Sequence, residues 1–155
     1  MEQQCIDGIL IIVKINNKME TKQIIVMRKD LNMRRGKQIA QGAHASMKVF
    51  LDLCYKKEFK DDWYEDKKEY NFIFGVNSAW DNWLNGRFTK VVVGCDTEKE
   101  LLELYEKAKS QKLPCSLITD AGLTEFNGVP TNTCIAIGPE ESYKIDAITN
   151  HLKLL

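Results

Sequence analysis

The chain has 155 residues, of which 44% are hydrophobic and 28% charged, and its formal net charge is zero. This composition is typical of an ordinary globular protein and excludes the disordered, fibrous and membrane-embedded classes. A net charge of zero also argues against a protein that coats nucleic acid through bulk positive charge. The length predicts one domain, residues 1–155, with one hydrophobic core.

The cysteines and histidines give no sign of a disulfide framework or a metal site. The five cysteines are widely spaced and form no Cys-x-x-Cys pair, which fits a reducing compartment. The two histidines lie far apart, at positions 44 and 151, so we expect neither a metal ion nor a cofactor. The longest strongly apolar stretch, residues 8–13, is much shorter than the ~20 residues of a membrane span. We therefore expect a soluble, cytoplasmic protein without membrane contact.

Strand-like and helix-like patterns alternate along the chain. Runs of β-branched residues predict strands at 24–26, 91–93, 115–118 and 133–137, and residues 9–15 are either a short strand or extra N-terminal sequence. Helical spacing predicts helices at 35–55, 98–109 and 141–152. The charged stretch 56–69 fits either a solvated helix extension or a surface insertion. This alternation predicts an α/β fold with a parallel or mixed sheet and helices on both faces.

The predicted first helix has two distinct faces. Apolar residues recur at spacings of three and four, which predicts that they pack on the core: Ile39, Ala43, Met47, Phe50 and Cys54. Four polar residues fall within about 60° of one another, nearly opposite that stripe: Lys37, Gln41, His44 and Lys48. A helix face that is merely exposed to solvent more often carries ion pairs between residues four apart. The combination of a lysine, a glutamine and a histidine on one face instead suggests a functional site.

The loop before this helix and the helix itself carry a local excess of positive charge. Six cations accompany the single anion Asp30: Arg28, Lys29, Arg34, Arg35, Lys37 and Lys48. Lys37 also lies beside the predicted helix start, where backbone amides favour an anion such as phosphate. Taken alone, an exposed lysine is more often only solvated. The segment lacks the Walker A pattern, so ATP or GTP binding is not indicated.

A second polar segment follows the predicted strand at 115–118. Asp120 could orient or deprotonate a water, and the Thr124 hydroxyl could donate to an oxyanion. By itself Asp-x-Gly is more often an ordinary turn, and Thr133 on the next strand is equally ambiguous. Ligands of α/β sheets bind beyond the carboxyl ends of the strands, so the loops at 28–37 and 119–131 are the predicted site.

The residues of both loops fall into a pattern that is known from one family. Residues 28–45 read Arg-Lys-Asp-Leu-Asn-Met-Arg-Arg-Gly-Lys-Gln-Ile-Ala-Gln-Gly-Ala-His-Ala, which closely resembles the first motif of the second, archaeal and eukaryotic-type peptidyl-tRNA hydrolase family. Later segments resemble that family's other motifs in the same order: Lys90-Val91-Val92-Val93, Asp120-Ala121-Gly122 with Thr124, Ile137-Gly138-Pro139 and His151-Leu152-Lys153-Leu154. The resemblance runs from about residue 22 to the C-terminus.

This resemblance implies a three-layer α/β/α domain with a four-stranded mixed sheet, usually homodimeric, that releases peptides from peptidyl-tRNA without a metal. It places six residues at active-site positions: Lys37, Gln41, His44, Asp120, Thr124 and Thr133. Leu123 and Glu125 stand where many members carry arginine and glutamine, so contacts to tRNA or peptide are expected to differ. Residues 1–20 are predicted to be an N-terminal extension, and residues from about 57 to 82 a family-atypical insertion.

The sequence-based hypothesis gives each of these residues a role in ester hydrolysis. Asp120, helped by His44, activates water, while Lys37 and Thr124 stabilise the oxyanion. Gln41 and Thr133 position groups on the substrate side. The basic face around Arg28, Arg34, Arg35 and Lys37 holds tRNA phosphates, with Lys29 and Lys48 further out. Two alternatives are a non-catalytic RNA- or protein-interaction module on the same fold and a nucleotide- or flavin-binding domain. The latter needs a glycine-rich loop, whereas only Gly36 is present.

Overall fold

The computed structural model describes residues 2–6, 9–13, 19–61 and 64–155. The strands are β1 (Glu2–Ile6), β2 (Ile9–Val13), β3 (Thr21–Arg28), β4 (Tyr55–Asp61), β5 (Tyr64–Asn71), β6 (Lys90–Cys95), β7 (Cys115–Asp120), β8 (Thr131–Glu141) and β9 (Lys153–Leu154). The helices are α1 (Arg35–Leu53), α2 (Ala79–Leu84), α3 (Glu98–Ser110) and α4 (Ser142–Thr149). The α/β class predicted from the alternating patterns is confirmed.

The central sheet is mixed and has the strand order β7-β8-β3-β6-β9. Strand β3 pairs in parallel with β6, whereas β8 runs antiparallel to both β3 and β7. Strands β3, β6 and β7 therefore point the same way, and their carboxyl ends share one edge of the sheet. The loops that follow β3 and β7 leave from this edge, where sequence analysis predicted the site.

The sheet has five strands, so the predicted count of four is wrong. The additional strand is β9, which pairs antiparallel with β6 and places Leu154 opposite Val93 and Lys153 opposite Gly94. Two residues are too few to show the alternating pattern of a strand, so β9 could not be predicted from the sequence.

Hydrophobic clusters lie on both faces of the sheet. One combines β3, β6 and β8 residues with α3 and α4, and its buried members include Val26, Ile135, Leu101 and Ile145. The other packs α1 against the opposite face, with Met27, Ala136, Ala45 and Val49 buried. Successive residues of β3 and β8 alternate between the clusters, as expected of strands covered on both sides. The predicted placement of helices on both faces is confirmed.

The orientation predicted for α1 is wrong. The side chains that α1 buries are Gln41, Ala45 and Val49, whereas Ile39 is 68% and Met47 60% exposed. Helical spacing identifies an apolar stripe but does not say what covers it. Here the glutamine-containing face contacts the sheet, and the apolar stripe borders an open cleft beside β6.

Two further pairs of strands lie outside the central sheet. Strands β4 and β5 form an antiparallel hairpin directly after α1, so the charged stretch 56–69 is not a helix extension. Strands β1 and β2 pair with each other, and β2 covers most of the strand predicted at 9–15, whose last two residues lie outside the described part of the chain. The assignment of residues 1–20 as an extension and 57–82 as an insertion stays a prediction. Within the described residues, no helix has the length and apolar character needed to cross a membrane.

Candidate active site

The structure brings five of the predicted residues into one cluster at the carboxyl edge of the sheet. Lys37 and Gln41 lie one helical turn apart on α1, and Asp120 is the last residue of β7. Lys37 Nζ donates to Asp120 Oδ2 at 2.5 Å and to Thr124 Oγ1 at 3.2 Å. The side chains of Lys37 and Asp120 are only 13% and 14% exposed. A largely buried ion pair therefore connects the first helix to the loop that follows β7.

A buried hydrogen-bond chain fixes this pair from behind. Gln41 Nε2 donates to Asp120 Oδ2 at 2.8 Å, and Thr133 Oγ1 donates to Gln41 Oε1 at 2.6 Å. Gln41 and Thr133 are almost completely buried. Because the hydroxyl of Thr133 donates to the amide oxygen, the amide nitrogen of Gln41 must face the carboxylate. The hydrogen bond from Thr133 thus fixes the orientation of the Gln41 amide, so that its nitrogen always donates to Asp120.

The loop that follows Asp120 folds back on itself. Gly122 has a φ of +78°, and its backbone N–H donates to Asp120 Oδ1 at 2.8 Å. A side chain at this position would collide with the backbone of Val129, so the turn requires glycine. The N–H of Gly128 closes the loop by donating to the Gly122 carbonyl at 2.9 Å. The same loop places the Phe126 ring 5.7 Å from Lys37 Nζ.

These contacts set the charge of Asp120. The hydrogen bond from Lys37 lowers the pKa of Asp120, and the Gly122 N–H and the Gln41 amide act in the same direction against the opposing effect of burial. Asp120 is therefore ionised throughout the neutral pH range. Nearby Cys134 is no candidate nucleophile, because burial raises the pKa of its thiol to about 12.

Other predicted site residues lie outside this cluster. His44 is exposed, and no hydrogen bond or ion pair of His44 is found within the described residues. Arg28 is only 7% exposed and points to the other face of the sheet, where it bonds Asp30 and Glu98. Such a guanidinium is not free to meet a phosphate.

The two remaining predicted arginines lie at the start of α1. Arg34 is 78% exposed, and its Nε donates to Glu125 Oε1 at 2.8 Å. Arg35 is exposed on the first turn of the helix. Glu125 thus partly neutralises the basic surface. Its one sign in the sequence is that many members of the family that the chain resembles carry glutamine at this position. The Phe126 contact with Lys37 had no sequence signal, because it depends on the closed loop.

The cluster contains the groups that hydrolysis requires. An ionised carboxylate can take a proton from water, while an ammonium and a hydroxyl can donate to a developing oxyanion. No three His, Cys, Asp or Glu side chains are grouped to hold a metal ion in the described ranges, which leave out 1, 7–8, 14–18 and 62–63. An α/β domain with these groups beyond its strand ends is therefore compatible with the broad class of hydrolytic enzymes.

Comparison with known proteins narrows this class to a family. The sequence profile described as Peptidyl-tRNA hydrolase PTH2 matches residues 21–155. The chain is 44% identical over 134 residues to the peptidyl-tRNA hydrolase of Methanocaldococcus jannaschii, and the match covers 86% of this chain and 99% of that protein. It is 42% identical to the peptidyl-tRNA hydrolase of Methanopyrus kandleri, over 86% of this chain and 97% of that protein. It is 40% identical to that of Staphylothermus marinus, over 88% and 96%.

The chain therefore belongs to the PTH2 family of peptidyl-tRNA hydrolases, which hydrolyse the ester bond between a peptide and tRNA. The matched region contains every residue of the Lys37–Asp120 cluster. The family resemblance seen in the motifs of residues 28–45 and 120–124 is confirmed.

The contacts of Asp120 predict how its titration depends on Lys37. Lys37→Met removes the largest cause of the lowered pKa, so we expect the pKa of Asp120 to rise. Carboxyl ¹³C NMR of the folded protein measures this shift directly.

The same ion pair makes the stability of the fold depend on pH. Because folding lowers the pKa of Asp120, the pair stabilises the fold above the pKa of an unfolded aspartate, about 3.9. This stabilisation is lost as the pH falls through the pKa of Asp120 in the folded protein.

Lys48→Met is the matched control, because Lys48 bonds Asp52 on the same helix instead of Asp120. It should leave the Asp120 titration unchanged. If Lys37→Met also left it unchanged, the ion pair would not control this carboxylate in solution.

Proposed function

We propose that this chain cleaves the ester of peptidyl-tRNA at the Lys37–Asp120 cluster. The observation that carries the proposal is that one ammonium group, Lys37 Nζ, contacts both Asp120 Oδ2 and Thr124 Oγ1. A carbonyl bound at this point would meet two donors and a carboxylate within one small site. The proposal extends to the products, a free peptide and a reusable tRNA.

Asp120 is the group that receives the proton of the attacking water. Its low pKa keeps it ionised but makes it a weak base while Lys37 holds it. When the carbonyl becomes a tetrahedral oxyanion, Lys37 Nζ donates a hydrogen bond to that oxygen and bonds Asp120 less strongly. The basicity of Asp120 therefore rises. The proton taken from water then passes to the departing ribose oxygen. His44 is exposed on α1 outside this cluster, so the proposed reaction assigns no step to it.

Lys37 and Thr124 together stabilise the oxyanion. Thr124 is exposed, and its hydroxyl lies 3.2 Å from Lys37 Nζ, so both can donate to one oxygen. Gln41 and Thr133 are almost fully buried and bond to each other, so their role is to hold Asp120 in place rather than to meet the tRNA. Loss of a single preorganised donor of this kind costs about 10²- to 10³-fold in kcat.

Phosphates of the tRNA bind on the exposed start of α1. Arg35 is exposed there, two residues before Lys37, and Arg34 joins it when its ion pair with Glu125 opens. Arg28 instead holds the loop after β3 in place, because its guanidinium bonds Asp30 and Glu98. Substrate affinity should therefore fall with salt. The reaction takes place in the cytoplasm, and no metal ion or cofactor takes part in it.

The direct test is turnover of N-acetyl-aminoacyl-tRNA by EDTA-treated protein. We expect the wild type to release the blocked amino acid, and Lys37→Ala or Asp120→Ala to lower kcat by about 10²-fold or more, since each removes a group acting in the transition state. Lys99→Ala, a lysine whose side chain is 86% exposed on α3, is the matched control and should keep full activity.

Three results would contradict parts of the proposal. Full turnover by Lys37→Ala would remove this site from the mechanism. No turnover by folded wild-type protein on several tRNAs would favour the non-catalytic interaction module, and activity that returned only with added metal would overturn metal independence.

A homodimer is part of the proposal. An open cleft of about 860 Å³ runs between α1 and β6, and apolar side chains line it. Ile39, Met47 and Leu51 of α1 are 68%, 60% and 42% exposed. A continuous exposed apolar surface of this kind marks an interface, and a second copy of the chain would cover it with the same surface. The Lys37–Asp120 cluster, which is the catalytic cluster of this proposal, lies on the sheet-facing side of α1, so the interface leaves it open.

Light scattering on a sizing column tests this dimer. The wild type should elute with twice the 17.8 kDa mass of the chain, and Met47→Glu should shift it to the monomer mass, because a carboxylate would be buried in the interface. Ile73→Glu, at a residue 87% exposed outside the cleft, should stay dimeric. A monomeric wild type would refute the dimer without affecting the proposed chemistry.

A further inference from the structure

A second polar cluster lies on the sheet face opposite to the catalytic cluster. Arg28 Nη1 donates to Glu98 Oε2 at 3.2 Å and to the Asn132 carbonyl at 2.8 Å. Asn132 Nδ2 donates to Glu98 Oε1 at 2.9 Å, and Thr119 Oγ1 donates to Asn132 Oδ1 at 2.6 Å. We name these four residues, Arg28, Glu98, Asn132 and Thr119, the rear clamp. It connects the ends of three strands with the start of α3.

The members of the rear clamp are sequence neighbours of the catalytic cluster. Thr119 precedes Asp120 on β7, and Asn132 precedes Thr133 on β8. Successive side chains of a strand point to opposite faces of the sheet, so each pair shares one piece of backbone. Any movement that loosens the rear clamp therefore displaces a group of the catalytic cluster.

The pairing of β7 with β8 is irregular at this point. Ile118 lies opposite Cys134 and Thr119 opposite Asn132, so Thr133 is an additional residue in β8. Such a bulge changes the direction of a side chain next to the site. Here Thr133 and Cys134 both face α1, where Thr133 bonds Gln41, while Asn132 faces α3. A ladder without the bulge would break this arrangement.

Asn132 is the residue on which the rear clamp depends most. Its amide oxygen, its amide nitrogen and its backbone carbonyl each have a different partner. The charged partner of that carbonyl, Arg28, is only 7% exposed and is further held by both carboxylate oxygens of Asp30. A buried guanidinium fixed in this way has little freedom, so Asn132 is tied to a rigid point.

We propose that Asn132 is a positioning residue of the reaction, and that the rear clamp sets the bulge that directs Thr133 to Gln41 and thereby holds Asp120 in place at the substrate. This inference rests on the proposed function but concerns residues that lie behind the sheet. Catalytic groups need placement to within about 1 Å, and a misplacement of that size costs about 10²-fold in rate. Asn132 acts through Thr133, Gln41 and Asp120 and does not contact the tRNA.

The test is a charge change with a rescue. Asn132→Asp puts a carboxylate against Glu98 Oε1 in place of a donor, so we expect kcat to fall about tenfold or more while KM stays within twofold. Adding Glu98→Gln restores an amide donor across this contact and should recover most of kcat. Asn150→Ala, an exposed asparagine at the end of α4, is the control and should leave both parameters unchanged.

A second measurement separates positioning from general loss of stability. Asp120 faces Lys37 and Gln41 of α1 and the Gly122 N–H of its own loop. If Asn132→Asp displaces Asp120, these hydrogen bonds weaken, and carboxyl ¹³C NMR of the folded protein will show a raised Asp120 pKa. A loss of folded protein alone would lower the active fraction and leave that titration unchanged.

The outcomes separate the two proposals. Reduced kcat, a shifted Asp120 titration and rescue by Glu98→Gln support the positioning role. An unchanged kcat, or a loss without rescue and with an unshifted titration, overturns it while leaving hydrolysis intact. An inactive wild type refutes the proposed function, and the NMR titration then still decides whether the rear clamp positions Asp120.

Discussion

The ion pair between Lys37 and Asp120 connects helix α1 to the end of strand β7, and the surrounding structure is arranged to hold it. Removing two charges from water is costly unless each finds its partners. Asp120 obtains them from Lys37, Gln41 and the Gly122 N–H. Lys37 lies at the start of α1, Gln41 lies one helical turn later, and Gly122 belongs to the loop after β7. The pair therefore requires the helix, the strand end and the loop to be placed together.

This requirement explains why α1 contacts the sheet through a face that contains a glutamine. If the apolar stripe of Ile39 and Met47 had faced the core, Gln41 would point away from Asp120. The small residue Ala45 and the branched residue Val49 complete the contact face instead. The apolar stripe is left beside the cleft, where the proposed second copy would cover it. One helix thus serves the site with one face and the proposed dimer with another.

The sequence predicted the α/β class, α1, α3 and the main strands, because these elements have clear periodicity. Chiefly through the family resemblance, it also named the five residues that the structure groups in one cluster, Lys37, Gln41, Asp120, Thr124 and Thr133, whose catalytic roles stay a proposal. It could not predict which face of α1 is buried. Periodicity shows that a helix has an apolar face, but it does not show whether that face packs on the sheet or on something else. Nor could it predict β9, which is two residues long, or the partners of Arg28, which depend on Glu98 seventy residues away. The hairpin β4–β5 was missed as well, because its dense charges obscure the alternation of a strand.

We propose that Lys37 and Asp120 act as one catalytic unit. The most direct test is a double-mutant cycle on kcat/KM with one N-acetyl-aminoacyl-tRNA, using Lys37→Met, Asp120→Asn and the combination of both. If the two residues form a unit, the double variant loses about as much activity as the more damaging single variant. If the loss in the double variant equals the product of the two single losses, the two residues act independently and do not form a catalytic unit.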